Sequence, residues 1–119
     1  MINSRNKGKA GELEAVHFIN ACGFQVHRSQ QYSGANSDAD IEGIDGLHIE
    51  VKRNEHLNIE NALQQAERDA KQKIPIVLHR KNREKWKVTI RADIFMQILK
   101  ILIQTGDIKN VGNEYGKNI

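Results

Sequence analysis

The sequence predicts an α/β protein, with a single domain in which helices flank a mixed central β-sheet of about five strands. Stretches that alternate apolar and polar residues, as half-buried strands do, are interleaved with stretches whose apolar residues recur at helical spacing. In addition, residues 76–79 form an apolar strand reached through a helix, and such a crossover joins parallel strands. The 119 residues are enough for one core without disulfides, and Cys22 is the single cysteine.

The N-terminal part predicts a helix, a strand and a loop. Residues 4–22 have apolar residues at helical spacing, with the regular part starting near residue 10, and Gly23 ends the helix. Residues 24–28 alternate as a strand does. Residues 29–36 are polar and rich in turn-forming residues, which predicts a loop leading into the next strand.

Residues 38–53 predict a β-hairpin. Its second strand, L-H-I-E-V-K, alternates apolar and polar residues, so Glu50 and Lys52 point to the same face. A two-residue turn would place Asp40 opposite Ile49, out of phase with that face. A three-residue loop ending in a left-handed Gly46 places Asp40 opposite Glu50, and we predict this second register.

The predicted hairpin places two carboxylates and one ammonium group on a single patch, as in a divalent-metal site. Mg²⁺ prefers oxygen ligands and takes one or two carboxylates beside water and substrate phosphate. A neighbouring lysine can orient an attacking water or neutralise charge that builds on a phosphate. The alternative interpretation is an amphipathic hairpin with a solvated charged face.

The second half of the chain predicts a helix, a strand, a charged loop, a strand and a final helix, at residues 59–73, 76–79, 79–85, 86–90 and 91–104. Pro75 ends the first of these helices. The final helix has an apolar stripe wider than one small sheet can cover. Core packing is the default interpretation of this stripe, and a dimer interface is the alternative. The domain would then span residues 1–104, followed by a loose polar tail over 105–119.

The net charge of +3 is unevenly distributed. Acidic residues concentrate in the hairpin, and basic residues lie in two other segments, at the N-terminus and in the charged loop. Basic side chains could hold a polyanion such as DNA while carboxylates hold a metal, although ordinary solubilising surface explains either basic run taken singly. The sequence has no run of about 18 apolar residues and no signal-peptide core, so we expect a cytoplasmic protein that does not contact a membrane.

In the order of its elements, residues 4–90 resemble the PD-(D/E)XK nuclease superfamily, and within it the archaeal-type Holliday-junction resolvases and their small phage and bacterial relatives. The matching residues are Asp40, the triplet E-V-K that begins ten positions later, and Glu12 in the upstream segment G-K-A-G-E-L-E. Ala39 stands where the superfamily name has a proline. Many members lack that proline, so the departure weakens the literal motif more than the assignment.

The resemblance implies a restriction-endonuclease-like core and an Mg²⁺-dependent endonuclease, with Mn²⁺ as a substitute metal. Asp40, Glu50 and the carbonyl of Val51 would be metal ligands, and Glu12 would be an extra ligand or would act through a metal-bound water. Lys52 would be the catalytic lysine. The remaining catalytic candidates are Gln65, for which Gln64 competes, and Ser33.

The family also implies products with a 5′-phosphate and a 3′-hydroxyl, a homodimer, and a four-way DNA junction as the substrate, in a bacterial host or its phage. Few aromatic residues are available for base stacking, so recognition should depend on backbone charge and shape. The predicted DNA contacts are Arg5, Lys7, Lys9, Arg28, Arg53, Arg80, Lys81 and Arg83. Two alternatives stay open, a related nuclease that acts on duplex or flapped DNA and a catalytically silent DNA-binding module.

Overall fold

The computed structural model describes residues 4–29 and 39–117, without the side chains of residues 4–7. Its elements are α1 (Ser4–Ala21), β1 (His27–Arg28), β2 (Ile41–Glu42), β3 (Leu47–Lys52), α2 (Ile59–Ala70), β4 (Ile74–His79), β5 (Lys87–Thr89), α3 (Ala92–Thr105) and α4 (Ile108–Lys117). The strands form one sheet in the order β1-β2-β3-β4-β5. Strands β3 and β4 are parallel and the other neighbours are antiparallel. The predicted α/β class with a mixed five-stranded sheet is confirmed.

The chain divides into two compact units, residues 1–89 and residues 90–119. The first unit contains the sheet with α1 and α2, and the second contains α3 and α4. Within the described part of the chain, no helix combines the length and the apolar character that a membrane span requires.

The second unit corrects the expectation of a loose tail after residue 104. Gly106 adopts a left-handed conformation, and its amide and that of Asp107 close the end of α3. The chain then continues as α4, in which Ile108, Val111 and Tyr115 recur at helical spacing. A glycine cap followed by a short amphipathic repeat therefore produces a second helix after α3. No residue of α3 is buried.

The core of the first unit consists of apolar residues from α1, α2 and the sheet. Those from the helices are Ala15, Val16, Ile19, Ala62, Leu63, Ala66 and Ala70. Those from the strands and the chain entering β1 are Val26, Ile41, Ile49, Val51, Ile76, Val77 and Leu78. Val77 forms a buried cluster with Ala62, Leu63 and Ala66, and this cluster identifies the face of the sheet that α2 covers.

Pro75 has a different role from the predicted one. Helix α2 already ends at Ala70, where Lys71 takes a positive φ of 56°, and Pro75 lies inside β4. The amides of Ile74 and Arg80, at the two ends of β4, donate to the carbonyls of Gly46 and Lys52, at the two ends of β3. The amides of the odd-numbered residues of β4 therefore face β5. Strand β5 pairs only with residues 77–79, so the missing N–H of Pro75 lies beyond its end and leaves no ladder bond unmade.

Candidate active site

The polar residues of β3 face α2. Glu50 is the partner of Val77 in the parallel β3–β4 register, and paired residues project to the same side of a sheet. Because Val77 packs against α2, Glu50 lies on the α2 face, and the alternation of the strand places His48 and Lys52 there with it. The opposite face carries the buried Ile49 and Val51.

The hairpin has the register in which Asp40 faces Glu50. Ile41 pairs with Ile49, so Asp40, one residue earlier, lies opposite Glu50. Gly46 has a φ of +82°, in the left-handed region that glycine adopts readily. The predicted register is confirmed, and the predicted left-handed glycine is present in the turn.

Asp40 lies just before the first residue of β2, and its side chain takes the place of a backbone partner in the ladder with β3. Its backbone amide donates to the carbonyl of Ile49 at 2.9 Å, and its Oδ2 accepts from the amide of Val51 at 2.8 Å. The Asp40 carboxylate is thereby fixed beside β3. The structure brings Val51 to Asp40 through its amide, whereas the resemblance implies a role for its carbonyl.

The negative charge of Glu50 disfavours ionisation of Asp40. The pKa of Asp40 is raised to about 7, first by burial and then by the charge of Glu50 and a hydrogen bond with it, while the hydrogen bond from the amide of Val51 acts in the opposite direction. Burial also raises the pKa of Glu50, whose hydrogen bond with Asp40 acts in the opposite direction. A divalent cation between these carboxylates would relieve their repulsion, so the donor set fits a hard ion such as Mg²⁺.

Lys52 lies next to Gln65. Its Nζ donates to Oε1 of Gln65, which projects from α2, at 3.5 Å. The neighbouring Gln64 is exposed and instead hydrogen-bonds within the helix to Glu60. The structure therefore brings Gln65, and not Gln64, to the candidate site.

Glu12 reaches the neighbourhood of the site from α1. Its carboxylate accepts a hydrogen bond from Nε of Arg28 at 2.9 Å and interacts electrostatically with Asp40 and Lys52. Burial raises the pKa of Glu12, whereas the hydrogen bond from Arg28 lowers it. Glu12 thus contributes charge to the site, while its direct contact is with Arg28.

The approach of α1 to β3 depends on Gly11. A β-carbon at this position would lie 2.8 Å from Cβ of Arg53, the residue that follows Lys52. A real side chain there would push α1 away from the end of β3. At Gly8, one turn earlier, a β-carbon would meet nothing within 4 Å.

Two residues beside the site, His48 and Asp69, had no predicted role. His48 Nε2 lies 2.8 Å from Glu50 Oε1, with both side chains 4% exposed. Asp69 on α2 lies near enough to Glu50 to raise its pKa. The signals were present in the sequence, because His48 is two residues from Glu50 on a strand and Asp69 is four from Gln65 on a helix.

Three of the predicted DNA-contacting arginines are held by acidic residues. Arg28 pairs with Glu12, while Arg53 and Arg80 both contact Glu14. The side chains of Lys9, Lys81 and Arg83 are exposed. Ser33 and the side chains of Arg5 and Lys7 lie outside the described part of the chain.

A polar groove of about 460 Å³ adjoins Lys52 on the side of α2. Its polar lining comes from the connection after β3 and from the exposed side of α2. These residues are Asn54, His56, Asn58, Asn61, Gln64, Gln65 and Arg68. Amide groups with cations among them can donate hydrogen bonds to phosphate oxygens, so the groove could hold a nucleic-acid backbone beside Lys52.

Comparisons of the chain with known protein families, with curated proteins and with solved structures found no match.

Proposed function

We propose that this protein is a metal-dependent, structure-selective DNA endonuclease that resolves Holliday junctions, leaving 5′-phosphate and 3′-hydroxyl ends. The observation that carries the proposal is the placement of Asp40, Glu50 and Lys52 on one face of the hairpin. Two acids that repel each other beside a lysine favour a site for a cation and a phosphate over a plain charged surface. Such a role on DNA implies the cytoplasm of a bacterial cell, with the gene belonging to the cell or to a phage.

In this proposal Asp40 and Glu50 hold Mg²⁺, with the carbonyl of Val51 and with Glu12 as further ligands. Mn²⁺ is the substitute ion, because it accepts the same carboxylate ligands. When bound, the ion supplies positive charge that offsets the negative charge developing on the phosphoryl oxygens.

The other residues of the site bind the DNA backbone, orient the attacking water or stabilise negative charge on the phosphate. Lys52 places its ammonium group where it can orient the attacking water or stabilise negative charge on the phosphate. Gln65 fixes the Lys52 side chain through the hydrogen bond at its Nζ. The groove beside Lys52 receives the DNA backbone, with Arg68 as its cation on α2.

A resolvase has to cut two strands at related positions, so we propose a homodimer with one active site for each cut. Exposed apolar residues of α3 support this proposal. They are Phe95, Met96 and Ile103.

The experiment compares the wild type with Asp40→Asn and Lys52→Ala on a four-way junction and on linear duplex of the same sequence, in Mg²⁺. Paired nicks near the branch point, abolished in both variants, are the expected result. Asp45→Asn is the matched control, because it removes an exposed acid from the turn of the same hairpin. Unchanged cutting by Asp40→Asn would contradict the assignment of Asp40 to the active site.

Two other outcomes would replace the proposal. Equal cutting of duplex and junction would favour the related nuclease that acts on duplex or flapped DNA. Binding of DNA without cutting in Mg²⁺ or Mn²⁺ would favour a catalytically silent binding module.

A further inference from the structure

Three potential ligand groups converge on the α2 face of β3, on the side of Glu50 away from Lys52. They are His48, Glu50 and Asp69, and one ligand atom from each lies within 4.8 Å of the others. His48 and Glu50 are buried and Asp69 is half-buried. This cluster differs from the candidate active site in containing an imidazole and in lacking Asp40 and Lys52.

The cluster follows from the way α2 crosses β3. Lys52 lies against Gln65 at one end, and Asp69, four residues further along α2, lies against Glu50 and His48. Two residues of a strand rise about 6.8 Å, and four residues of a helix rise about 6 Å. Every second side chain of β3 can therefore lie beside every fourth side chain of α2.

A cavity of about 730 Å³ gives access to the cluster from the hairpin side. Both His48 and Asp69 line it, together with the hairpin turn and the end of α2. Lys52 is not among its lining residues, which places the opening away from the groove proposed for DNA.

We propose that His48, Glu50 and Asp69 form a second metal site, which binds a divalent transition ion such as Zn²⁺. Imidazole nitrogen with carboxylate oxygen suits Zn²⁺, whereas Mg²⁺ requires oxygen ligands. Ligands of tetrahedral zinc lie roughly 3.4 Å apart, so small side-chain rotations bring the three atoms to that spacing and leave a fourth position for water from the cavity.

The two metal sites share Glu50. A transition ion bound by His48 and Asp69 engages the carboxylate that, in the proposed nuclease, holds Mg²⁺ with Asp40. This second step rests on the proposed function, and it makes the transition ion an inhibitor of cleavage.

The first test is titration of the metal-free protein, residues 1–119, with Zn²⁺ alone, against a chromophoric chelator. The wild type and Asp40→Asn should each bind one ion tightly, and Asp69→Asn and His48→Gln should each lose about tenfold or more in affinity. Asp69 is half-buried, so its variant remains informative if His48→Gln does not fold. Cys22→Ser and His79→Gln control for the exposed thiol and for another histidine, and both should bind as the wild type does.

Two results would overturn the second site. One is equal zinc affinity in the wild type and Asp69→Asn, and the other is a loss in Asp40→Asn as large as in Asp69→Asn, which would assign the ion to the Asp40 site.

Cleavage is measured separately, with Zn²⁺ added to the Mg²⁺-supplemented protein. The wild type should be inhibited at zinc concentrations that leave Asp69→Asn active, and equal inhibition of both would remove the regulatory step. If the protein cuts no DNA but binds zinc through Asp69, the second metal site stands and only the proposed nuclease function is contradicted.

Discussion

The Oδ2 atom of Asp40 accepts a hydrogen bond from the amide of Val51 at 2.8 Å, so a side chain extends the ladder just before strand β2 begins. This bond fixes the acid of one strand against the backbone of the next. It also holds the Asp40 carboxyl next to Glu50, whose negative charge opposes its ionisation. In the metal-free protein, ionisation of Asp40 therefore destabilises the folded state. Substitution of Asp40 can measure this effect.

Asp40→Asn should stabilise the metal-free protein at pH 8. The pKa of Asp40 is about 7 when folded, against an ordinary 3.8, so between these values the folded state retains a proton that the unfolded state releases. The retained proton therefore stabilises the folded state fully below about pH 4, and this stabilisation is lost as the pH rises to 7. Its total is on the order of a few kcal/mol. Asparagine stays neutral throughout and can still accept from the amide of Val51.

The measurement is urea unfolding in EDTA from pH 4 to pH 8. The difference in unfolding free energy between Asp40→Asn and wild type should grow up to pH 7 and then level off. Asp45→Asn controls for the loss of an exposed charge in the same hairpin. A difference that is constant over this pH range would contradict the assigned electrostatics.

Gly11→Ala should impair cleavage, whereas Gly8→Ala should not. A methyl group at residue 11 would lie 2.8 Å from Cβ of Arg53 and would displace α1 from the end of β3, at a cost of about 1–3 kcal/mol. Residue 8 has open space, so alanine there should stabilise the helix by about 1 kcal/mol. Thermal unfolding and junction cleavage of both variants check this, and equal behaviour of the two would show that close approach is not required at Gly11.

The local features of the hairpin were predictable because they depend on few residues. Alternation over six residues assigns the face of Glu50 and Lys52, and a glycine in the turn sets the register that brings Asp40 opposite Glu50. The crossover through α2 was predictable as well, because a helix separates the apolar β4 from β3 in the sequence. Strands that are joined through a helix pair in parallel.

The features that were missed depend on tertiary contacts or on weak local signals. The pairing of Arg53 and Arg80 with Glu14 joins residues far apart in sequence, so no spacing rule indicates it. The position of Pro75 inside β4 is allowed only because β5 is short. Helix α4 has three apolar residues at helical spacing in a segment that is otherwise polar. The polar composition led to the prediction of a loose tail.

Lys81→Ala and Arg83→Ala should each reduce the salt dependence of DNA binding. Both side chains are exposed on the loop after β4, whereas Arg80 is held by Glu14. Loss of one phosphate contact lowers the slope of log affinity against log salt by about 1. Fluorescence anisotropy over a range of salt concentrations measures this slope, with Lys71→Ala, an exposed lysine after α2, as the control. Unchanged slopes in both loop variants would remove this loop from the DNA interface.

Ile103→Glu should convert the proposed dimer into a monomer, and Ile101→Glu should not. The two isoleucines are 58% and 61% exposed, yet they lie on opposite sides of α3 because successive residues turn by about 100°. Ile103 shares its side with Met96, seven residues earlier, and this exposed apolar side is the one proposed to meet a second copy. Light scattering after size-exclusion chromatography gives the mass of each variant, and a dimer that survives Ile103→Glu would place the interface elsewhere.

Gln65→Ala should lower the rate of cleavage of bound DNA about tenfold, whereas Gln64→Ala should leave that rate unchanged. Gln65 accepts a hydrogen bond from Nζ of Lys52, and Gln64 contacts Glu60 on the outside of α2. A residue that only positions the lysine should affect kcat rather than KM. Gln65→Glu keeps an acceptor oxygen at the same position and should recover part of the activity. Equal loss in the alanine and glutamate variants, or a loss in KM alone, would show that Gln65 does not act through Lys52.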